Sequence, residues 1–149
     1  MTTYTIRPLD TTPTALSDAV NLIAFNCPSE SERYEKSRLV TEICPVETLP
    51  FYRKFFAAYL PNGTLIGLGG IKAADWASDT HILYMAAVDK EHRGKGIGTD
   101  LETIRIQWVR DHFPRGRCLV STKHEKRFAR RGFKTVSEID HRHMMVLEF

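Results

Sequence analysis

Three glycines within five residues, Gly94, Gly96 and Gly98, separate a strand-like stretch from a helix-like one. This junction limits the folds open to the chain more than any other feature. Upstream, His81 to Val88 is a continuous, mostly apolar run of strand character. Downstream, Ile97, Leu101, Ile104 and Trp108 recur at helical spacing and form one apolar stripe. Another short apolar run, Cys118-Leu119-Val120, then reads as a buried strand. A strand, a crossover helix and a second strand make a parallel unit. That unit puts the glycine loop at a strand's carboxyl end, where ligands bind in such sheets.

The loop itself is suited to an anion. Glycines allow close backbone approach and let successive N–H groups point inward. The helix that follows offers orphan N–H groups and the positive end of its dipole. Arg93 and Lys95 add charge, and together these features describe a diphosphate site. Two common diphosphate patterns fail. Thr99 stands where the dinucleotide fingerprint needs its last glycine, and no Gly-Lys-Ser/Thr follows at the P-loop spacing. The plain alternative is a glycine-rich turn before a helix.

Around this unit the elements follow from their punctuation. Tyr4 to Arg7 alternates like a strand and stops at Pro8. Thr12 and Pro13 read as an N-cap and a first helical residue, with Leu16, Ala19, Val20 and Ile23 as the apolar positions before Pro28. Ser29 and Glu32 form a capping box for a second helix with Leu39, Val40 and Ile43 on its apolar face. Phe55 to Leu60 and Leu65 to Lys72 are strands joined at Asn62-Gly63, a pair suited to a type I′ turn. Gly67, Gly69 and Gly70 suggest close backbone approach. Thr122 with Glu125 is a second capping box, and Gly132-Phe133 a helix stop. Strands over 134–138 and 143–149 complete the order β-α-α-β-β-β-α-β-α-β-β, a mixed α/β sheet.

The chain has 149 residues without repeat or linker, which fits a single domain over 1–149. Its 42% hydrophobic and 26% charged content is ordinary globular usage. A formal charge of +3 is too small to argue for nucleic acid. Cys27, Cys44 and Cys118 are odd in number and lack metal-ligand spacing, so neither a disulfide framework nor a metal site is expected and a reducing cytoplasm suits them. No leader-like or membrane-spanning run is present.

From Arg93 to Gly98 the loop has the form Arg-x-x-Gly-x-Gly, preceded by Met85-Ala86-Ala87-Val88-Asp89. This resembles the signature of the GNAT superfamily of N-acetyltransferases. Lys126-Arg127-Phe128-Ala129-Arg130-Arg131-Gly132-Phe133 is similar to that family's second coenzyme A segment, and Met144 to Phe149 to its last strand. The resemblance implies an α/β (mixed α+β) GNAT fold. It would have a mostly antiparallel central sheet of about six or seven strands, a parallel, splayed pair at the acyl-CoA site and about four helices. It also implies acetyl-CoA or a related acyl-CoA as co-substrate, an amine as acceptor, transfer by direct attack, and a homodimer. Residue by residue, the backbone of Ala86, Ala87 and Val88 would bond the pantetheine arm like an added strand. Arg93, Gly94, Lys95, Gly96, Ile97, Gly98 and Thr99 would wrap the pyrophosphate. Ser121 occupies the place of a cofactor-touching Asn, and Phe128 that of the family's acid, a Tyr.

Phe128 has no hydroxyl to protonate the leaving thiolate. Three readings stay open: water serves, Ser121 or His124 replaces the Tyr, or the protein binds acyl-CoA without efficient turnover. The usual carboxylate base is also missing between Ile82 and Val88. Tyr84, working through water, is the candidate there, with a packed strand aromatic as the alternative, and His81 reads as an exposed histidine at a strand start. Lys123, Lys126, Arg127, Arg130 and Arg131 form a basic helix, read as a solvated face before a nucleic-acid surface. His141 and His143 share one strand face, where a third metal ligand is missing. Tyr34, Tyr52 and Trp76 are expected on the acceptor side. Acidic Glu30, Glu32, Glu35 and Asp75 would attract a cationic amine or simply form a charged face.

Overall fold

The computed structural model describes residues 3–27 and 35–149. Its strands are β1 (Thr5–Pro8), β2 (Arg53–Tyr59), β3 (Leu65–Ala73), β4 (Thr80–Val88), β5 (Arg117–Thr122), β6 (Lys134–Ile139) and β7 (Arg142–Glu148). Its helices are α1 (Pro13–Asn26), α2 (Lys36–Glu42), α3 (Ile97–His112) and α4 (Glu125–Ala129), with a 3-10 turn at Lys90–His92. The strands form one sheet in the order β1-β2-β3-β4-β5-β7-β6. All neighbours are antiparallel except β4 and β5, as the crossover through α3 requires. This is the mixed α+β, mostly antiparallel architecture expected.

Both faces of the sheet are covered at its centre. Phe56 and Ala58 of β2 join Ile97, Leu101, Ile106 and Val109 of α3 in one core. Phe55, Ala57 and Tyr59, the alternate residues of the same strand, pack with Ala19, Val20 and Ile23 of α1. The period-2 alternation of a strand thus divides one run between two cores.

Local chemistry accounts for most element ends. Thr12 Oγ1 accepts from Ala15 N at 3.2 Å, with Pro13 following as the first helical residue. The Ser29–Glu32 pair, Pro28 and Tyr34 lie outside the described residues. On α2, Leu39 is buried, with Ile43 just beyond it, but Val40 is 56% exposed, so its apolar face is narrower than expected. The Asn62-Gly63 hairpin forms without a type I′ turn. Only Gly63 has positive φ (88°); Gly63 N bonds Leu60 O, and Asn62 Oδ1 accepts from Thr64 N. The Thr122–Glu125 capping box is absent too. Thr122 Oγ1 accepts instead from His124 N at 2.9 Å, and α4 starts without a side-chain cap.

Strand β4 carries the one irregularity that matters for a site. Leu68 pairs with Ala87 and Gly70 with Tyr84, so Gly69 stands opposite two residues, Met85 and Ala86. This is a bulge, and Met85 sits in it at φ 51°. The extra residue inverts the alternation. Before it, Leu83 faces the α3 core; after it, Met85 and Ala87 face the α1 core.

Candidate functional site

Strands β4 and β5 pair only at their starts, Thr80 with Arg117, His81 with Cys118 and Ile82 with Leu119. Beyond Ile82 they diverge, and a cleft of about 480 Å³ opens between them. Leu83, Tyr84, Met85 and Ala86 line one side and Leu119 to Thr122 the other, with Phe128 also in the lining. The bulge therefore lies on the cleft wall, and Ala86 is exposed.

The glycine loop follows directly at the end of β4. Gly94 and Gly96 have φ of 78° and 86°, and Gly96 caps α3 in the left-handed region with no side-chain cap for the helix. The N–H groups of the first turn are thus left for an anion. Gly98 differs: its φ is ordinary and an added Cβ would meet only Val88 Cγ2 at 3.9 Å, so neither backbone conformation nor packing demands glycine there. Arg93 is turned back on the protein. Its Nε donates to Val88 O at 3.1 Å and its Nη2 to Asn26 Oδ1 at 3.3 Å. Asn26 Oδ1 also accepts from Lys90 N, so the end of α1 braces the loop. Tyr4, just before β1, reaches the first turn of α3, donating to Asp100 at 2.6 Å.

Two charged residues of α3, not among those singled out in the sequence, are buried beside the cleft. Arg105 is 2% exposed under β3, giving Nε to Leu101 O and Nη1 to Gly70 O. Gly69 has no side chain because a Cβ there would stand 2.8 Å from Arg105 Nε. Burial pulls the Arg105 guanidinium down to about 10, against the opposing charge of Glu102, so it stays charged at neutral pH. Glu102, also 2% exposed, holds Arg127 at 2.7 Å and Arg131 at 3.0 Å. Arg131 further donates to Thr99 O and Thr103 Oγ1. Part of the basic helix is therefore an internal clasp between α3 and α4. The four-residue step Ile97, Leu101, Arg105 was the signal that Arg105 lies on the buried row.

The remaining candidates are distributed as follows. Tyr84 packs on Phe55 at 5.6 Å with Lys72 Nζ 4.5 Å from its ring centre. Its hydroxyl is buried and finds no hydrogen-bond partner among the described residues, and burial, with the Glu42 carboxylate nearby, pushes its pKa far up. Ser121 is exposed on the cleft lip, its carbonyl accepting from Arg142 Nη1 at 3.2 Å. Phe128 is 4% exposed and packs edge-on to Phe133 at 5.3 Å.

Three expectations are corrected. His81 is not exposed: it is 2% accessible, pairs Nδ1 with the Tyr52 hydroxyl at 2.7 Å and lies tilted against Phe113 with ring centres 4.4 Å apart. Tyr52, 2% exposed and packed on Trp108, belongs to this core and not to the β4–β5 cleft, whereas Trp76, 70% exposed, does line the cleft. His141 sits in the β6–β7 turn at φ 62° while His143 lies on β7 beside Glu125, so they share no strand face.

The model of the acetyltransferase (GNAT) family matches residues 19–133, and the chain belongs to that family. No curated protein shows significant similarity to it. Among solved structures it is similar to the PaiA N-acetyltransferase of Thermoplasma acidophilum in complex with coenzyme A. The identity is 16% and the TM-score 0.72, over 99% of each chain. It is likewise similar to an acyl-CoA N-acyltransferase of Pseudomonas aeruginosa, at 15% identity and TM-score 0.71, over 98% of this chain and 99% of that one. The N-acetylglutamate synthase of Neisseria gonorrhoeae, complexed with coenzyme A and N-acetyl-glutamate, matches at 18% identity and TM-score 0.70. That match covers 99% of this chain but 35% of the other. At such identities the likeness carries the fold, which is that of the GNAT acetyltransferases.

Proposed function

We propose that the protein transfers an acyl group, in the simplest case acetyl, from acyl-CoA to an amine. The observation that carries this is a junction. An uncapped helix start behind Gly94 and Gly96 lies at the end of a strand whose neighbour has splayed away. The backbone from Gly94 to Thr99 would take the pyrophosphate, with Arg93 bracing the loop from behind. The edge of Ala86, Ala87 and Val88 would take the pantetheine amides as an added strand, leading the thioester to the bulge at Met85 and Ala86. The similar Thermoplasma and Neisseria proteins are each complexed with coenzyme A, which supports an acyl-CoA ligand for this chain.

The chemistry would be direct. The amine attacks the thioester carbon, the C–S bond breaks, and the coenzyme A thiolate leaves with a proton. Cys118 is no acyl carrier: it is fully buried, and burial pushes its thiol up to about 12. Tyr84 would keep its proton and serve as a polar O–H beside the cleft, so the amine's proton passes to water. A catalytically weak acyl-CoA-binding module is the second reading, favoured by one observation: the buried ring of Phe128 brings no proton donor to the cleft.

Calorimetric titration with coenzyme A, joined to a thiol-release assay across an amine panel, tests both. The expected result is binding that collapses in Gly96→Val, together with turnover of at least one amine. Binding without thiol release above background supports the second reading. No binding at all defeats both.

A further inference from the structure

Asp100 stands in the first turn of α3, where its charge has two opposed effects. The first bond of the helix runs from Asp100 N to Gly96 O at 3.0 Å. The N–H groups of Ile97, Gly98 and Thr99 precede that bond and are the ones a diphosphate on the loop would meet. A carboxylate at this helix end complements the dipole and favours folding. For an anion bound at the same end it is a like charge about one helical turn away, and it opposes binding.

Tyr4 fixes where that carboxylate lies. Its ring, just ahead of β1, packs against the core under α3. Its hydroxyl donates to Asp100 Oδ2 at 2.6 Å, joining residues 96 apart in the chain. The same oxygen is 3.4 Å from Lys95 O and 3.7 Å from the place a Gly96 Cβ would take, so it sits at the joint between loop and helix. The hydrogen bond to Asp100, with burial, raises the Tyr4 pKa above its ordinary 10.0, and the hydroxyl keeps its proton and stays the donor. Strand β1 is the sheet edge remote from the β4–β5 cleft, so Tyr4 draws the carboxylate away from the side on which a pantetheine arm would run.

Granting the coenzyme A site proposed above, we infer that Tyr4 and Asp100 are a positioning pair that sets how strongly the loop holds the diphosphate. Asp100 weakens the hold, and Tyr4 limits the weakening by pinning the carboxylate on the β1 side. The substrate acyl-CoA and the product coenzyme A carry the same diphosphate, so grip on this group adds nothing to the chemical step and slows release. A tempered grip serves turnover better than a maximal one.

Calorimetric titration of coenzyme A over the unmodified protein, Tyr4→Phe, Asp100→Asn and the double variant tests this. It is run at about 20 mM and about 0.5 M ionic strength, where charges are screened over roughly 20 and 4 Å. At low salt Asp100→Asn should tighten binding about threefold, the scale of one charge acting on a diphosphate at about 10 Å through water. Tyr4→Phe frees the carboxylate and should weaken binding about threefold. High salt should shrink both effects to within about 1.5-fold. Tyr4→Phe added to Asp100→Asn should change nothing further. A tyrosine that only held the loop's shape would give a loss that persists in salt and in the Asp100→Asn background, and that result overturns the inference. So does an Asp100→Asn variant that binds no tighter than the unmodified protein. If the unmodified protein binds no coenzyme A, the cofactor reading itself falls; if it binds and the two substitutions act independently, only this inference does.

Discussion

Arg131 Nε donates to Oε2 of Glu102 at 3.0 Å, joining the segment after α4 to the buried side of α3. The other carboxylate oxygen holds Arg127 at 2.7 Å, and Arg105 is buried one helical turn away. One carboxylate thus compensates cations that the surrounding apolar packing cannot. Glu102→Gln keeps the shape and removes the charge. It should cost about 3 kcal/mol or more, as expected when one partner of a buried pair is deleted. The readout is the urea midpoint at unchanged m-value. A loss under about 1 kcal/mol would mean that solvent already screens the cluster.

Gly98 separates ligand approach from folding. Its backbone is helical and an added methyl has room, meeting only Val88 at 3.9 Å. Gly98→Ala should therefore raise stability by up to about 1 kcal/mol, the ordinary gain of alanine in a helix. If phosphate oxygens approach this turn closely, the same methyl should weaken coenzyme A about tenfold, or 1.4 kcal/mol. Thermal denaturation and calorimetry on one sample check both signs. Unchanged affinity would place the pyrophosphate elsewhere.

The strand–loop–helix junction could be read from sequence because each part carries its own local pattern: an apolar run, glycines where φ is positive, then a helical stripe. The bulge in β4 could not. Tyr84-Met85-Ala86-Ala87 contains no glycine or proline to mark it, and its cause is the pairing with β3 across Gly69. His81 read as a surface residue because its cover comes from far along the chain, from Phe113 and Phe149. The burial of Glu102 and Arg105 is not decided locally either, since the partners that bury them, Arg127, Arg131 and the carbonyl of Gly70, belong to other elements. Local pattern thus located the loop, and tertiary pairing built the walls of the cleft.

The same burial of His81 has a pH signature. Desolvation lowers its pKa below the ordinary 6.5, with the charge of Asp79 opposing only in part. The folded state then binds this proton less readily than the unfolded chain. Its contribution to stability is complete above pH 6.5 and is lost as pH falls from there toward the depressed folded value. Urea midpoints should therefore decline from pH 7.5 to 5.5, and the His81 ring should titrate below 6.5 by NMR. A ring that titrates at or above the ordinary value would refute the assignment.

Phe128 is where chemistry and packing can be separated by one atom. Its ring lines the cleft, 4% exposed, edge-on to Phe133, and brings no O–H to the place where a thiolate would leave. If water alone supplies the proton, an added hydroxyl at the ring's edge gives the departing sulfur a positioned donor, and general acid catalysis of this kind contributes on the order of a hundredfold when well aligned. Alignment by a single substitution is imperfect, so Phe128→Tyr should raise kcat by about tenfold, with the gain fading as pH rises through the tyrosine's own ionisation near 10. Coenzyme A affinity should stay nearly constant, because the hydroxyl acts on the leaving group and not on the bound cofactor. Steady-state thiol release from pH 6 to 10, with calorimetry alongside, checks the rate, its pH dependence and the binding separately. An unchanged kcat would mean that proton delivery to sulfur is not limiting, and that Phe128 is retained in this cleft for packing against Phe133.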